Sequence, residues 1–148
     1  MTFVRVFRPT LSLVAWLTLA MAAAGCGDSP TAPSSYAPFS TTDLRVGEGP
    51  SAVAGSSLTV HYTGWLFDGS KPDNKGLQFE TSRGTEPFTF IFGVGQVIEG
   101  WEQGLVGMNG GGLRRIVIPP SLAYGNSRSG IIPPNATLVF EVELLEVQ

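Results

Sequence analysis

The 148 residues carry 9 Lys+Arg against 12 Asp+Glu, a net charge of -3, with 19 Gly, 11 Pro, one Cys and one His. That is one small domain plus an appendage, and without a run of basic residues it has no electrostatic footprint for a phosphate backbone, so no nucleic-acid partner is expected. One Cys excludes an internal disulfide; with one His, a zinc site would need mostly carboxylates and triad catalysis would hang on His61 alone.

Arg5 and Arg8 precede an uncharged apolar stretch from Leu11 to Met21, which runs into Ala22-Ala23-Ala24-Gly25-Cys26. A charged start, an apolar middle and small residues at a cut are the layout of a secretory signal peptide. A membrane-spanning helix is the alternative, but the uncharged run between Pro9 and Gly27 barely reaches a bilayer's thickness and is bounded by Pro and Gly. The sole Cys directly after the small residues resembles the lipobox of bacterial lipoproteins, in which that thiol takes a diacylglycerol. Ala24 and Gly25 fit it, while Ala23 stands where the motif usually carries Leu. Cleavage after Ala24 is the rival; it would release a soluble secreted or periplasmic protein and leave an unpaired thiol in an oxidising compartment. The expectation is a lipoprotein-type signal peptide over residues 1–25 and a protein lipid-anchored at Cys26 to a bacterial membrane, outside the cytoplasm. Residues 26–42 comprise that Cys and a tether of Ser, Thr, Pro and Ala with no period of 2 or 3.6.

The folded domain is expected over residues 43–148. Leu58, Val60 and Tyr62 alternate with Thr59, His61 and Thr63, and Phe88, Phe90 and Phe92 alternate with Thr89 and Ile91; both are half-buried strand patterns. Val97, Ile98, Trp101 and Leu105 fall at helical spacing with Glu99, Glu102 and Gln103 opposite, which predicts one short amphipathic helix with a solvated acidic arc. Leu113 to Ile118 is a further strand, stopped by Pro119-Pro120. At the end Leu138, Phe140, Val142 and Leu144 alternate with Glu141 and Glu143, a long strand with one wet face. A lone helix among such strands must bury its stripe on the sheet. The fold class is α+β: a curved antiparallel sheet wrapped around one short helix.

The chemical inventory is spare. There is no Gly-x-Ser-x-Gly elbow and no phosphate loop; Gly93-Val94-Gly95 lacks the third glycine of a dinucleotide fingerprint. No cofactor and no metal is expected. Large rings beside Gly- and Pro-rich loops suit a concave apolar site as well as a core. Such a site can still catalyse a reaction that breaks no sigma bond. Prolyl cis/trans isomerisation faces a barrier of roughly 18–20 kcal/mol from amide resonance, and its twisted transition state has lost the charge separation of the planar amide. An apolar pocket tolerates that twisted amide better than water does, while one or two fixed donors orient a carbonyl.

The stretches Val60-His61-Tyr62-Thr63-Gly64, Phe79-Glu80-Thr81-Ser82, Pro87-Phe88, Gly95-Gln96-Val97-Ile98-Glu99-Gly100-Trp101, Leu122-Ala123-Tyr124-Gly125 and Ile131-Ile132-Pro133-Pro134-Asn135-Ala136-Thr137-Leu138 resemble, in order and spacing, the FKBP-type peptidyl-prolyl isomerases. The likeness runs from about Thr42 to the C-terminus. It implies a half-barrel closed over the helix and prolyl isomerisation in the folding of extracytoplasmic proteins; a proline-binding or chaperone module with little turnover is the alternative. Trp101 would be the pocket floor, with Tyr62, Phe88, Val97 and Phe140 as walls and Phe79 closing one side. The Ile98 N–H and the Tyr124 hydroxyl would donate to ligand carbonyls. The implied partners are proline-containing polypeptides and the family's macrolide inhibitors, bound by a monomer. Three departures stand out: Glu80 replaces the family's usual Asp, the polar segment from Ser70 to Gln78 is longer than in the shortest members, and the loop over residues 126–130 has no apolar residue.

Overall fold

The computed structural model describes residues 36–148, so the expected signal peptide, Cys26 and most of the expected tether lie outside the described residues. In chain order these form the strands β1 (Ser40–Arg45), β2 (Ser57–Phe67), β3 (Lys75–Thr81) and β4 (Phe88–Ile91), the helix α1 (Glu99–Gly104), and the strands β5 (Leu113–Ile118) and β6 (Leu138–Val147). Hydrogen-bonded neighbours run β1-β5-β6-β2-β3, with β4 also on β2, and every pairing is antiparallel. The α+β fold of one curved sheet and one short helix is the one expected. Among the described residues no helix is long and apolar enough to cross a membrane.

Alternation places the inner face. Leu58 and Val60 of β2, Phe90 of β4, Ile116 and Ile118 of β5, and Leu138, Phe140, Val142 and Leu144 of β6 are all buried against Trp101 and Leu105. Each such side chain contributes about 1.5–3 kcal/mol by leaving water. Two strands carry no such signal. Every residue of the edge strand β1 is exposed, so nothing in it needs to alternate; it begins at Ser40, inside the segment expected as tether. In β3 the pairing with β2 slips between Gly64 and Trp65 and again before Phe67, which breaks the period of two.

The outer face of β6 is ion-paired rather than simply wet. Glu141 takes Arg115 at 2.8 Å and also Lys75, and Arg115 reaches Asp73 at 2.9 Å, tying the long polar segment before β3 to the sheet. Glu143 takes Arg45 at 2.6 Å and Arg83 at 2.9 Å. Burial works against the Glu141 charge, but hydrogen bonds from Lys75 and Arg115 outweigh it and hold that carboxyl below the usual range.

The helix is shorter than its apolar stripe predicts. Val97 and Ile98 precede it: Ile98 is its N-cap in extended conformation, and Leu105 is its C-cap. Gly107, at φ 65°, turns the chain away after the last turn, and the Arg114 guanidinium donates to the carbonyls of Gly104 at 2.9 Å and Val106 at 3.1 Å. What lets α1 lie close on the sheet is the absence of side chains at Gly100 and Gly104, which face Ile118 and Ile116.

Candidate active site

Along one edge β2 pairs first with β4, through Val60, and then with β3, from Thr63. Between these partners lies Tyr62, whose backbone is held by a neighbouring side chain instead: its N–H donates to Ser82 Oγ at 2.9 Å, and its carbonyl accepts from the Ser82 N–H at 3.0 Å and from Thr81 Oγ1 at 3.1 Å. His61 lies on the polar side, its Nδ1 3.0 Å from the same Ser82 hydroxyl. The gap so made between β3 and β4 opens on a cavity of about 340 Å³.

Trp101 is only 4% exposed. Its indole meets the Tyr62 ring at 5.1 Å and 82°, Phe140 at 5.4 Å and 87°, Phe90 at 5.9 Å and Phe88 at 6.5 Å. Edge-on pairs like these are worth about 0.5–1.5 kcal/mol each beyond burial, so the rings fix one another's planes. Tyr62, Phe88, Val97, Ile98, Trp101 and Phe140 all line the cavity, as do Glu80 and Tyr124. Phe88 is half out in solvent at 39% although Phe90 and Phe92, in the same sequence alternation, are buried. Its ring stands at the β3/β4 gap.

Phe79 is placed differently from the expectation that it closes a side of this cavity. It lines an adjoining cavity of about 400 Å³ with Glu80, Tyr124 and Ile131, and touches the first site through Phe140, ring to ring at 5.5 Å and 85°. Gly64 makes that contact possible, since a Cβ there would meet Phe79 Cζ at 2.6 Å and Phe140 Cε1 at 2.8 Å.

Two donors on residues that line the cavity are unengaged. As N-cap, Ile98 lends its carbonyl to the N–H groups of Trp101 at 2.9 Å and Glu102 at 3.2 Å, while its own N–H has no acceptor among the described residues. The Tyr124 side chain, 37% exposed, follows the turn Pro120–Leu122 and is carried by a loop that Gly125 N–H to Pro120 O, at 2.8 Å, and Asn135 N–H to Gly125 O, at 2.7 Å, hold in place. Its hydroxyl likewise has no acceptor among the described residues. The other phenol of the site is different: burial first, then the charge of Glu80 and hydrogen bonding to it, push Tyr62 up to about 12. It stays neutral at any physiological pH. The lining holds no Ser, Cys, Lys or His, hence no ready nucleophile.

Three contributors escape a reading by residue type. Gly95 and Gln96 line the cavity through their place in the chain. Glu102, on the arc read as solvated, accepts from the Gly93 and Gly95 N–H groups.

A family model described as FKBP-type peptidyl-prolyl cis-trans isomerase matches residues 49–145. The chain belongs to this family. This FKBP-type isomerase is 49% identical over 106 residues to the FK506-binding protein of Neisseria meningitidis serogroup B, covering 71% of this chain and 92% of that one. It is 42% identical over 105 residues to FK506-binding protein 1 of Aspergillus oryzae, covering 68% and 90%. The crystal structure of AtFKBP13 superposes with a TM-score of 0.62 at 38% identity, over 77% of this chain and 98% of that chain. FkpA from Escherichia coli gives a TM-score of 0.62 at 39% identity, over 74% of this chain but 48% of its own. The protein is thus a peptidyl-prolyl cis-trans isomerase by family, sequence and fold.

Proposed function

We propose that the ring-lined cavity is where the FKBP-type isomerase turns X-Pro bonds, with the proline ring packed on Trp101 between Tyr62, Phe88, Val97 and Phe140. The observation that carries this reading is the pair of unengaged donors, Ile98 N–H and Tyr124 hydroxyl, at a ring-walled cavity whose lining holds no Ser, Cys, Lys or His. The donors hold carbonyls on either side of the bond while the rings exclude water. The planar amide, with its separated charge, loses solvation there; the twisted amide, which has little charge to solvate, loses less, and the barrier falls. Glu80 lines the cavity beside the Tyr62 phenol and accepts its hydrogen bond, orienting it, and Phe79 shapes the neighbouring rim. Substrates are proline-containing polypeptides, and macrolides of the FK506 type, after which the relatives are named, would compete for the same space. One chain lines the whole cavity, so a monomer suffices.

Titrating the isotope-labelled protein with an X-Pro peptide tests this arrangement. The Ile98 amide resonance is expected to move downfield as the peptide binds, and a macrolide of the FK506 type to displace it; a peptide that binds without moving Ile98 contradicts the assignment. The place of action follows from residues 1–26: the small residues before Cys26 support export and lipidation, and with them a role in folding exported proteins at a membrane surface. Mass spectrometry of membrane-extracted protein is expected to find a diacylglyceryl group on Cys26. An unmodified chain beginning at Gly25 contradicts the anchor and leaves the isomerase standing.

A further inference from the structure

Glu102 follows Trp101 in α1, and its side chain turns back over the loop that enters the helix. One carboxylate oxygen accepts the Gly93 N–H at 2.7 Å and the other the Gly95 N–H at 2.9 Å. Both glycines have positive φ, 82° and 75°, and the Val94 side chain between them is 59% exposed and does nothing to anchor the turn's tip. From the turn the chain runs directly through Gly95, Gln96, Val97 and Ile98, one wall of the cavity. The far side of the loop is tied by Gln96, whose Oε1 accepts the Ile91 N–H at 2.8 Å. A residue rooted beside the floor therefore grips the base of the wall.

We propose that Glu102 is a positioning residue of the isomerase: its carboxylate fixes the 93–95 turn against α1 and thereby sets the Ile98 N–H relative to the Trp101 indole. The proposal rests on the cavity being the isomerisation site and adds a residue that touches no substrate. A carboxylate suits the task because it offers two acceptor oxygens to two N–H groups, in charge-assisted bonds about twice as strong as neutral ones. Glutamine offers one oxygen, alanine none. Glu99, with the same charge on the same helix, accepts only from Gln103 Nε2, at 3.0 Å, and serves as control.

The test uses the full chain as wild type, E102A, E102Q and E99A, with amide shifts of Gly93, Gly95 and Ile98 read beside kcat and KM for an X-Pro peptide. In E102A all three amides are expected to shift and kcat/KM to fall about tenfold, in KM because the wall meets the bound peptide and in kcat because the displaced Ile98 N–H no longer holds the carbonyl in the twisted transition state. E102Q is expected to recover part of both, and E99A to match wild type. The proposal is overturned if E102A shifts the two glycine amides yet leaves Ile98 and kcat/KM at wild-type values, or if E99A loses as much. Should E102A fail to fold, E102Q decides: one glycine amide shifted with undiminished kcat/KM overturns it. A folded wild type without turnover counts against the isomerisation site alone, and the Ile98 shift still decides the positioning.

Discussion

Replacing Gly100 by Ala is expected to lift the floor of the site off the sheet. A Cβ at this position meets Ile118 Cδ1 at 2.7 Å and Cγ1 at 2.9 Å, with Cγ2 nearer still. Ile118 has nowhere to retreat: it is fully buried, and its strand is locked to β6 opposite Leu138. Overpacking of this kind costs about 1–3 kcal/mol, and alanine in place of glycine within a helix returns about 1 kcal/mol. The net is a loss of up to about 2 kcal/mol, and for a domain of roughly 100 residues each kcal/mol lowers Tm by about 4–8 °C. The helix must move off the strand, and Trp101 is the next residue, so the edge-on contacts with Tyr62 and Phe140 loosen and kcat/KM drops about tenfold with them. Scanning calorimetry and a peptide isomerisation assay on the same preparation read both effects. Gly104→Ala, which meets Ile116 Cδ1 at 2.7 Å and Cγ2 at 2.8 Å, should follow in the same direction. A Tm above that of wild type for Gly100→Ala, with unchanged kcat/KM, would refute the reasoning, since it would mean that helix propensity and not close approach governs how α1 is seated.

Tyr124→Phe keeps the ring and removes one donor, so kcat/KM should fall about two- to tenfold, the share of a single neutral hydrogen bond; an unchanged value would remove Tyr124 from the reaction. Ultraviolet titration should find one tyrosine, Tyr62, ionising near 12 instead of 10.0. Because the folded value is the higher, the stability linked to this group is whole below pH 10 and is lost as pH rises through that interval; ionisation of Tyr62 at the ordinary value would contradict its burial beside Glu80. Glu141→Gln leaves Lys75 and Arg115 without their shared counter-charge and should cost about 1–3 kcal/mol at pH 7. With a native pKa below the ordinary 4.5, the wild-type advantage should begin to close as pH falls past that value and vanish only at still more acid pH, as denaturant melts across the acid range would show. A difference independent of pH would mean that the charge plays no part.

What could be read from the sequence was whatever burial writes into a period. Leu138 to Leu144 and Leu58 to Tyr62 alternate because one side faces the core, and the sheet was legible from them. β1 was not, because an edge strand with every residue exposed has no face to mark, and β3 was not, because its bulges against β2 scramble the alternation. Helical spacing found Trp101 and Leu105 but overran the helix: Val97 and Ile98 share the stripe by position while lying before it, Val97 in a bend and Ile98 in extended conformation. The site's rings could be named from the resemblance, and the structure brings Tyr62, Phe88, Trp101, Tyr124 and Phe140 to one cavity while turning Phe79 to the next. Glu102 was hidden for a different reason. A carboxylate on a polar arc looks the same in a sequence whether it faces water or two backbone N–H groups, and only the path of the glycine turn tells them apart.

Isomerisation of X-Pro peptides by the full chain, wild type against Trp101→Leu with folding of both verified by circular dichroism, bears most directly on the ring-lined cavity as the catalytic site. Trp101 supplies the surface that every proposed wall meets, and leucine keeps the position apolar while removing four ring contacts. The expected result is turnover by the wild type and a loss of about hundredfold or more in the variant. A folded wild type that accelerates no X-Pro peptide, or a variant that turns over as fast as wild type, would contradict it.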